Sequence, residues 1–314
     1  MFIQMQKKNI SDEKVIKTSI KVDIIDVLLN GTAFLVTGSV TMLAEVFQGL
    51  ADLINDGLIY FGMKRSRGLP DKKYPFGYGR ELYIWSFLAV LTMFLFLAGL
   101  SFYFGWQRLR DQKDIEHIFL AYSILIISLI TNGYSFSLGF RRLLEGRPFW
   151  RIKQAFSQST FLETKVTFIS DLLGALAAFF GLIALILFEV TGKLWFDGLG
   201  AMVIGLIMAI FSLQLLKNVR DFIVGVSVSE ETKDLIKKAA LEVTKVQGVL
   251  DLRAVVIGSN RLLVNLEIHI EPGLVTEEIE KLIDKVKANI KEKVPSVYHI
   301  QVEPETPAAE INKA

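Results

Sequence analysis

Two apolar stretches of the chain each carry polar side chains spaced four residues apart. The first stretch holds Gln48 and Asp52, and the second holds Thr167 and Asp171. Residues at this spacing share one face of an α-helix, so each pair predicts two oxygen ligands on one helix. Two such helices can enclose one divalent cation whose charge the two carboxylates neutralise. The alternative is a polar seam that hydrogen-bonds the helices together without an ion.

These residues lie in stretches long enough to cross a bilayer as helices, which takes about 20 apolar residues. We predict six spans: Ser19–Thr37, Met42–Met63, Leu82–Phe104, Ile118–Phe140, Gln158–Phe188 and Gly198–Leu216. Lysine and arginine are concentrated before the first span and in the loops at 64–80 and 141–153. Positive loops stay in the cytoplasm, so this pattern predicts a multi-pass protein of the cell (inner) membrane with both termini cytoplasmic.

The amino-acid composition excludes several kinds of functional site and partner. The 314 residues are 52% hydrophobic and carry a net charge of +2, which predicts contact with membrane lipid and no nucleic-acid partner. The chain contains no cysteine, so thiolate metal ligands, disulfides and cysteine nucleophiles are excluded. None of its three histidines lies inside a predicted span. We therefore expect no enzyme and no tightly bound cofactor.

Further polar residues follow the same helix faces or lie near them in the other spans. In the predicted orientation they fall on the cytosolic side of Asp52, where they predict an acidic vestibule that concentrates cations. This set is Asp23, Asp26, Asp56, Asn132 and Glu163. For Asp23 and Asp26, pairing with Lys17 or Lys21 near the membrane interface is an equally good interpretation.

The composition becomes polar after the sixth span, and the pattern predicts a small α+β domain with the order α-β-β-α-β. The predicted elements are a helix from Ser229 to about Val246, strands Leu250–Ile257 and Arg261–Ile270, a helix from Thr276 to before Pro295, and a strand Val297–Val302. The predicted domains are thus a cytoplasmic segment 1–18, a membrane domain 19–219, a cytoplasmic domain 220–303 and a disordered tail 304–314.

This domain carries two histidines on predicted strands. Glu267 and His269 share one strand face, and His299 and Glu303 share a face of the last strand. These four residues could form a surface metal site if the strands adjoin in a dimer. The alternative, which we favour, is a solvated sheet face with ordinary histidines.

Several motifs resemble the cation diffusion facilitator family, and in particular its bacterial branch. They are Thr37-Gly38-Ser39, Leu43-Ala44-Glu45, Asp52, the loop Asp71–Arg80 (DKKYPFGYGR) followed by Glu81, the aromatic run Tyr83–Phe87, and Phe196-Asp197-Gly198. The resemblance implies a six-span homodimer that exports divalent transition metals against protons. It also implies a ferredoxin-like, metallochaperone-like cytoplasmic domain.

The departures from the family pattern bear on the choice of metal. The resemblance implies His or Asp four residues before each site aspartate, where this chain has Gln48 and Thr167. It also implies a histidine at the position of Tyr74, three residues after Asp71. An all-oxygen shell suits Mn²⁺ or Fe²⁺ better than Zn²⁺, although Co²⁺ and Zn²⁺ are also candidate substrates. The alternative is a weakly binding, non-transporting family member that acts as a partner or regulatory subunit.

Overall fold

The computed structural model describes residues 12–110, 114–144, 148–152, 156 and 162–307. The chain divides into two compact units. The helical unit contains the long helices up to Arg220, and the mixed unit contains the loop Ser66–Glu81 and the chain from Asp221 onward. The predicted N-terminal segment up to residue 11 and the predicted tail from residue 308 lie outside the described residues.

Among the described residues, the helical unit contains seven long or medium-length α-helices. They are α1 (Asp12–Thr37), α2 (Val40–Ser66), α3 (Glu81–Thr92), α4 (Gly99–Arg108), α5 (Ile118–Leu144), α6 (Leu162–Thr191) and α7 (Trp195–Val224). A π-helical turn, Met93–Ala98, joins α3 to α4, so that these three elements form one helical segment in place of the uninterrupted third span predicted. Six long helical segments therefore correspond to the six predicted spans.

Among the described residues, four segments are both long enough and apolar enough to cross a membrane. They are Glu81–Arg108, Ile118–Arg141, Lys165–Thr191 and Trp195–Val224. Helices α1 and α2 have the length, at 26 and 27 residues, but are less apolar. Both helices contain acidic residues within their apolar stretches, Asp23 and Asp26 in α1 and Asp52 and Asp56 in α2.

A glycine-lined crossing holds α4 against α7. A Cβ atom on Gly105 would lie 2.6 Å from the carbonyl oxygen of Gly198, and one on Gly205 would lie 2.8 Å from the backbone nitrogen of Phe102. The hydroxyl of Ser101 also donates to the carbonyl of Ala201 at 2.8 Å. Small residues at a membrane helix crossing let the backbones approach this closely.

The same crossing places Asp197 at the N-terminus of α2. This carboxylate is fully buried and accepts hydrogen bonds from the backbone nitrogens of Val40 and Thr41, each at 3.0 Å, and from the Ser39 hydroxyl at 2.5 Å. Its Oδ2 also lies 3.1 Å from Nε of Arg108 on α4. Because the first N–H groups of a helix have no intrahelical acceptor, Asp197 acts as the cap that fixes α2.

The mixed unit has the predicted order α-β-β-α-β. Its elements are α8 (Glu230–Leu241), β1 (Val246–Gly258), β2 (Arg261–Ile270), α9 (Thr276–Lys293) and β3 (Val297–Pro304). The sheet order is β1-β2-β3, with β1 and β2 antiparallel and β2 and β3 parallel. Buried residues alternate along β2 from Leu262 to Ile268 and recur on both helices, so the helices cover one sheet face.

Three boundaries in this unit differ from the prediction by two residues or more: the end of α8, the start of β1 and the end of β3. Helix α8 begins after the N-cap Ser229 as predicted but ends at Leu241, because Lys245 has a positive φ of 78° and the chain turns there. The residues from Val246 to Gly248 pair with β2 instead. At the other end, Glu305 donates its backbone N–H to Ile268 at 2.9 Å, so pairing extends one residue past β3.

Candidate functional site

Five aspartates from three helices form one electrostatic cluster. Asp52 on α2 is repelled by the carboxylates of Asp23 and Asp26 on α1, Asp56 on α2 and Asp171 on α6. We call these residues the five-aspartate cluster. Asp171 is thus within electrostatic range of Asp52, while a cation shared by these two carboxylates stays a prediction. The cluster also contains three members of the predicted vestibule.

Asp52 is held by the residue one turn before it. The Gln48 side chain is buried and its amide nitrogen donates to Oδ2 of Asp52. The other carboxylate oxygen, Oδ1, is buried and accepts no hydrogen bond from the described residues. Leaving a buried carboxylate oxygen without a donor costs free energy, so this atom is suited to accept a cation.

Asp171 faces α5 at a glycine. A Cβ atom on Gly139 would lie 3.5 Å from Oδ2 of Asp171, so the absence of a side chain there leaves room for the carboxylate. Thr167, one turn earlier on α6, is exposed, whereas Asp171 is half-buried. The structure thus joins Gln48 to Asp52, while a shared site with Asp171 and the role of Thr167 as a fourth ligand stay predictions.

The vestibule residues are held mainly by neutral groups. Asp26 accepts hydrogen bonds from Nδ2 of Asn30 at 3.0 Å and from the hydroxyl of Ser128 at 2.9 Å. Asp56 accepts one from Ser19. Both contacts of Asp26 lie inside the helix bundle, which disfavours pairing with a lysine. Asp26 meets Gly49, nearly one turn before Asp52 on α2. In the predicted orientation it therefore lies on the extracytoplasmic side of Asp52, and not on the cytosolic side that the vestibule prediction gave it.

For the two other residues of the predicted vestibule, Asn132 and Glu163, the structure gives fewer side-chain contacts. Asn132 on α5 packs against Gly174 of α6, where a Cβ atom would lie 2.9 Å from its Oδ1. Glu163 lies in the first turn of α6, and its side chain is outside the described residues. Within the described part of the chain, no three His, Asp or Glu side chains are grouped closely enough to hold a metal ion by themselves. A cation between Asp52 and Asp171 would therefore need neutral oxygens such as that of Gln48.

The four candidate residues of the mixed unit are spread along the sheet. The register pairs Glu267 with Glu303 but places His299 beside Leu263. His269 lies beyond the end of β3, with Nδ1 3.3 Å from the carbonyl oxygen of Glu305. Six residues of β2 separate Leu263 from His269, about 20 Å at the usual rise of a strand. One chain does not bring all four together, so a site that uses all four remains a prediction for a dimer.

His299 has a further contact that the sequence did not indicate. Its ring lies 5.5 Å from the ring of Phe76, in the loop Ser66–Glu81. In the same loop, a Cβ atom on Gly79 would overlap the carbonyl oxygen of Ile257 at the end of β1. The loop Ser66–Glu81, here called the motif loop, therefore packs directly on the β1–β2 hairpin.

Asp71 organises the start of this loop. Its carboxylate accepts hydrogen bonds from the Tyr78 hydroxyl at 2.6 Å and from the backbone nitrogens of Tyr74 and Lys73 at 2.7 and 2.8 Å. The Tyr78 hydrogen bond, followed by that from Tyr74, holds the pKa of Asp71 below its ordinary value. This aspartate thus has a structural role even though Tyr74 replaces the histidine that the resemblance implies.

Two buried polar residues of α1 and α2 were not assigned to a site from the sequence. Asn30 and Glu45 both have no exposed surface. The available signal was spacing, because Glu45 precedes Asp52 by seven residues and so shares its helix face.

Comparison with known proteins gives a match over most of the chain. A family described as the cation efflux transmembrane domain matches residues 16–224, and one described as the cation efflux protein, cytoplasmic domain, matches residues 228–305. The chain is 25% identical over 286 residues to the mitochondrial proton-coupled zinc antiporter SLC30A9 of Mus musculus, covering 89% of this chain and 50% of that protein. It thus spans about half the length of that relative.

Bacterial relatives are matched over nearly their full length. The cation-efflux pump FieF of Shewanella oneidensis is 24% identical over 284 residues, which is 87% of this chain and 89% of that protein. The magnetosome protein MamB of Paramagnetospirillum magneticum is 22% identical over 293 residues, 92% of this chain and 93% of that protein. Among solved structures, a nickel form of a MamM C-terminal domain variant matches 25% of this chain and 98% of that chain, with 27% identity and a TM-score of 0.24.

Proposed function

Because the chain belongs to the cation efflux, or cation diffusion facilitator, family, we propose that it is a secondary transporter that exports divalent metal cations from the cytoplasm in exchange for protons. One observation carries this proposal. Carboxylates from α1, α2 and α6 lie within electrostatic range of Asp52, whose buried Oδ1 has no hydrogen-bond donor among the described residues. Charged groups inside a membrane domain are costly and mark ion pathways.

The choice of metal follows from the ligand types. Gln48 and the two site aspartates offer only oxygen, and no imidazole lies within the predicted spans. Oxygen ligands suit Mn²⁺ and Fe²⁺, whereas zinc sites favour nitrogen and sulfur. We therefore propose a preference for Mn²⁺ or Fe²⁺ over Zn²⁺, with Co²⁺ and Zn²⁺ as weaker substrates, in contrast to the relative named a zinc antiporter.

We propose protons as the counter-ion. Carboxylates that repel one another in a low-dielectric setting hold protons when no cation is bound, so cation binding releases protons. A relative is named as proton-coupled. We further propose a homodimer in the cell (inner) membrane with both termini cytoplasmic, since the loop charges predict this orientation.

Reconstituted transport tests the proposal. The purified chain in proteoliposomes, with a pH-sensitive dye inside, is given Mn²⁺, Fe²⁺, Co²⁺ and Zn²⁺ in turn. We expect Asp52→Asn and Asp171→Asn each to abolish metal flux and the accompanying proton movement. Asp284→Asn, the same change at an exposed residue of α9, serves as the control and should transport normally. Full transport by both site variants would refute the proposal.

A second candidate function is a non-transporting partner or regulatory subunit. The exposed position of Thr167 favours it, because a site with fewer ligands binds metal weakly. Titration of the purified chain with Mn²⁺ separates the two functions. A transporter should show one Mn²⁺ site that Asp52→Asn removes, and a pure partner subunit should show no Mn²⁺ binding that depends on Asp52.

A further inference from the structure

Three buried oxygen atoms between α1 and α2 lack any hydrogen-bond donor among the described residues. They are Oδ1 of Asn30 and both carboxylate oxygens of Glu45. Each of these side chains has a relative exposure of 0%. The proposed site at Asp52 and Asp171 does not use them, so they call for a separate explanation.

The contacts between α1 and α2 place Asn30 and Glu45 at the same level. A Cβ atom on Gly49 would lie 3.3 Å from Oδ2 of Asp26, and one on Gly31 would lie 4.0 Å from Cγ2 of Val46. Higher numbers on α1 therefore meet lower numbers on α2, so the helices are antiparallel. One turn from the level of Asp26 and Gly49, in the direction of Gly31, Asn30 on α1 lies at the level of Glu45 on α2.

Helices α5 and α6 complete this region. Oε1 of Glu45 would lie 3.4 Å from a Cβ atom on Gly181 of α6, and Cδ2 of Leu125 on α5 would lie 3.3 Å from the same atom. Glycine at position 181 therefore leaves space beside the carboxylate. One turn along α5 from Leu125, Ser128 donates to Asp26 at 2.9 Å.

Hydrogen bonding orients the amide of Asn30. Its Nδ2 donates to Asp26 at 3.0 Å through Oδ2 and at 3.1 Å through the backbone carbonyl. Both donors of the amide are used in this way, so only its acceptor, Oδ1, is left. The carboxylate of Asp26 is also near enough to repel that of Glu45. The region thus combines buried acceptors with negative charge.

We propose that Glu45 and Asn30, supported by Asp26, form a second intramembrane cation station that binds a hard divalent cation. A cation satisfies all three unpartnered oxygens at once, and carboxylate and amide oxygens are the ligands that Mn²⁺ and Mg²⁺ prefer. The station lies about 10 Å from Asp52, since seven helical residues at 1.5 Å separate the two levels on α2.

The role of the station rests on the proposed transport function. In the predicted orientation α2 runs toward the cytoplasm, so Glu45 lies on the extracytoplasmic side of Asp52. An exported cation would then reach the station after it leaves the Asp52 site. Two sites in series hold an ion weakly enough to release it while keeping it out of contact with lipid.

Counting bound Mn²⁺ tests the station. The full chain, purified in detergent, is equilibrated with Mn²⁺, and the bound ion is measured by electron paramagnetic resonance. We expect Glu45→Gln to lose one Mn²⁺ per chain, in both the native and the Asp52→Asn background. The matched control is Glu189→Gln, the same change on α6 at a carboxylate that accepts a hydrogen bond from Tyr122, and it should lose none.

A second variant distinguishes loss of Mn²⁺ binding from a folding defect. Asn30→Leu removes the unpartnered oxygen but leaves Glu45 in place, and we expect it to weaken Mn²⁺ binding at the station about tenfold while the melting temperature stays close to native. Equal Mn²⁺ counts for the native chain and Glu45→Gln, or unchanged affinity in Asn30→Leu, would overturn the proposal. Loss of transport in Asp52→Asn is a separate measurement, so the two proposals can fail independently.

Discussion

Selectivity can be tested one side chain at a time. Gln48 donates to Asp52 and supplies an amide oxygen where imidazole would favour zinc. We expect Gln48→His to raise the ratio of Zn²⁺ to Mn²⁺ flux about tenfold, equivalent to ~1.4 kcal/mol. Thr167→His should add to this only if the exposed Thr167 reaches the cation. The flux panel in proteoliposomes measures both.

The control for this prediction is Gln214→His on α7, the same change at an exposed residue away from the cluster. An unchanged flux ratio in Gln48→His would show that oxygen ligands at this position do not set the preference. A raised ratio in Gln214→His would show that histidine acts non-specifically.

A second prediction for a single residue concerns the stability of the motif loop at low pH. The hydrogen bond from Tyr78 lowers the pKa of Asp71 below its ordinary value of 3.8. The ionised carboxylate therefore stabilises the loop above pH 3.8, and this contribution is lost as the pH falls through the lower folded-state pKa. Tyr78→Phe should raise that pKa and move the loss to higher pH.

Hydrogen exchange between pH 2.5 and 5, corrected for intrinsic rates, measures this effect at the amides of Lys73 and Tyr74, which donate to Asp71. Tyr134→Phe, which removes an exposed tyrosine hydroxyl in α5, is the control. Identical protection profiles for the native chain and Tyr78→Phe would contradict the role given to this hydrogen bond.

The limits of sequence reasoning are visible at individual residues. The contact of Gln48 with Asp52 could be predicted because spacing within one helix fixes which side chains share a face. Glu45 and Asn30 could not be paired in this way, because their proximity depends on the register of α1 against α2. That register is set by packing at Gly31 and Gly49, which no single-helix pattern reveals.

Among the elements, α2 depends most on a residue far away in the sequence. Asp197 caps its N-terminus and pairs with Arg108 in a fully buried position. Asp197→Ala leaves both the helix end and the arginine without a partner, so we expect a loss of about 3–5 kcal/mol of stability. Ser39→Ala, which removes one hydrogen bond to the same carboxylate, should cost about 1 kcal/mol. Thermal unfolding in detergent compares the two, and equal melting temperatures would exclude the capping role.

The crossing of α4 and α7 gives a matched pair of glycines on one helix. A Cβ atom on Gly105 would collide with Gly198 and Met202, whereas one on Gly99 meets nothing within 4 Å. We expect Gly105→Ala to cost about 1–3 kcal/mol by overpacking, and Gly99→Ala to be neutral. Melting temperatures of the two variants check this. A destabilised Gly99→Ala would instead point to a general effect of alanine in α4.

Element boundaries were predictable where local chemistry sets them. The N-cap Ser229 starts α8 where predicted, and β2 and α9 have the predicted ends because the turn at Asn260, with φ of 53°, and Pro295 lie in the sequence. The predicted end of α8, at about Val246, is too late, because Val246 already pairs with Ile270 of β2. The π-helical turn at Met93–Ala98 carries no sequence signal, because its apolar residues are equally compatible with an α-helix.

At the scale of the whole molecule, the division into units was only partly visible in the sequence. The change from apolar to polar composition located the second unit, but the loop Ser66–Glu81 read as a basic connection between spans. The structure assigns this loop to the mixed unit, with Gly79 against Ile257 and Phe76 against His299. Such long-range packing arises from shape complementarity between distant segments, which composition does not encode.

The placement of the cluster leads to a prediction for the proposed dimer. Asp23, Asp26, Asp56 and Asp171, which act on Asp52, all belong to the same chain as Asp52. Each subunit should therefore hold a complete site and transport independently. Dimers of one native and one Asp52→Asn chain, isolated with two different affinity tags, should keep about half of the native Mn²⁺ flux, because independent sites add. Dimers with two Asp52→Asn chains and dimers with two native chains set the lower and upper limits. Near-complete loss of flux in the mixed dimer would mean that the two subunits must move together, and an unchanged flux would mean that Asp52 does not limit transport.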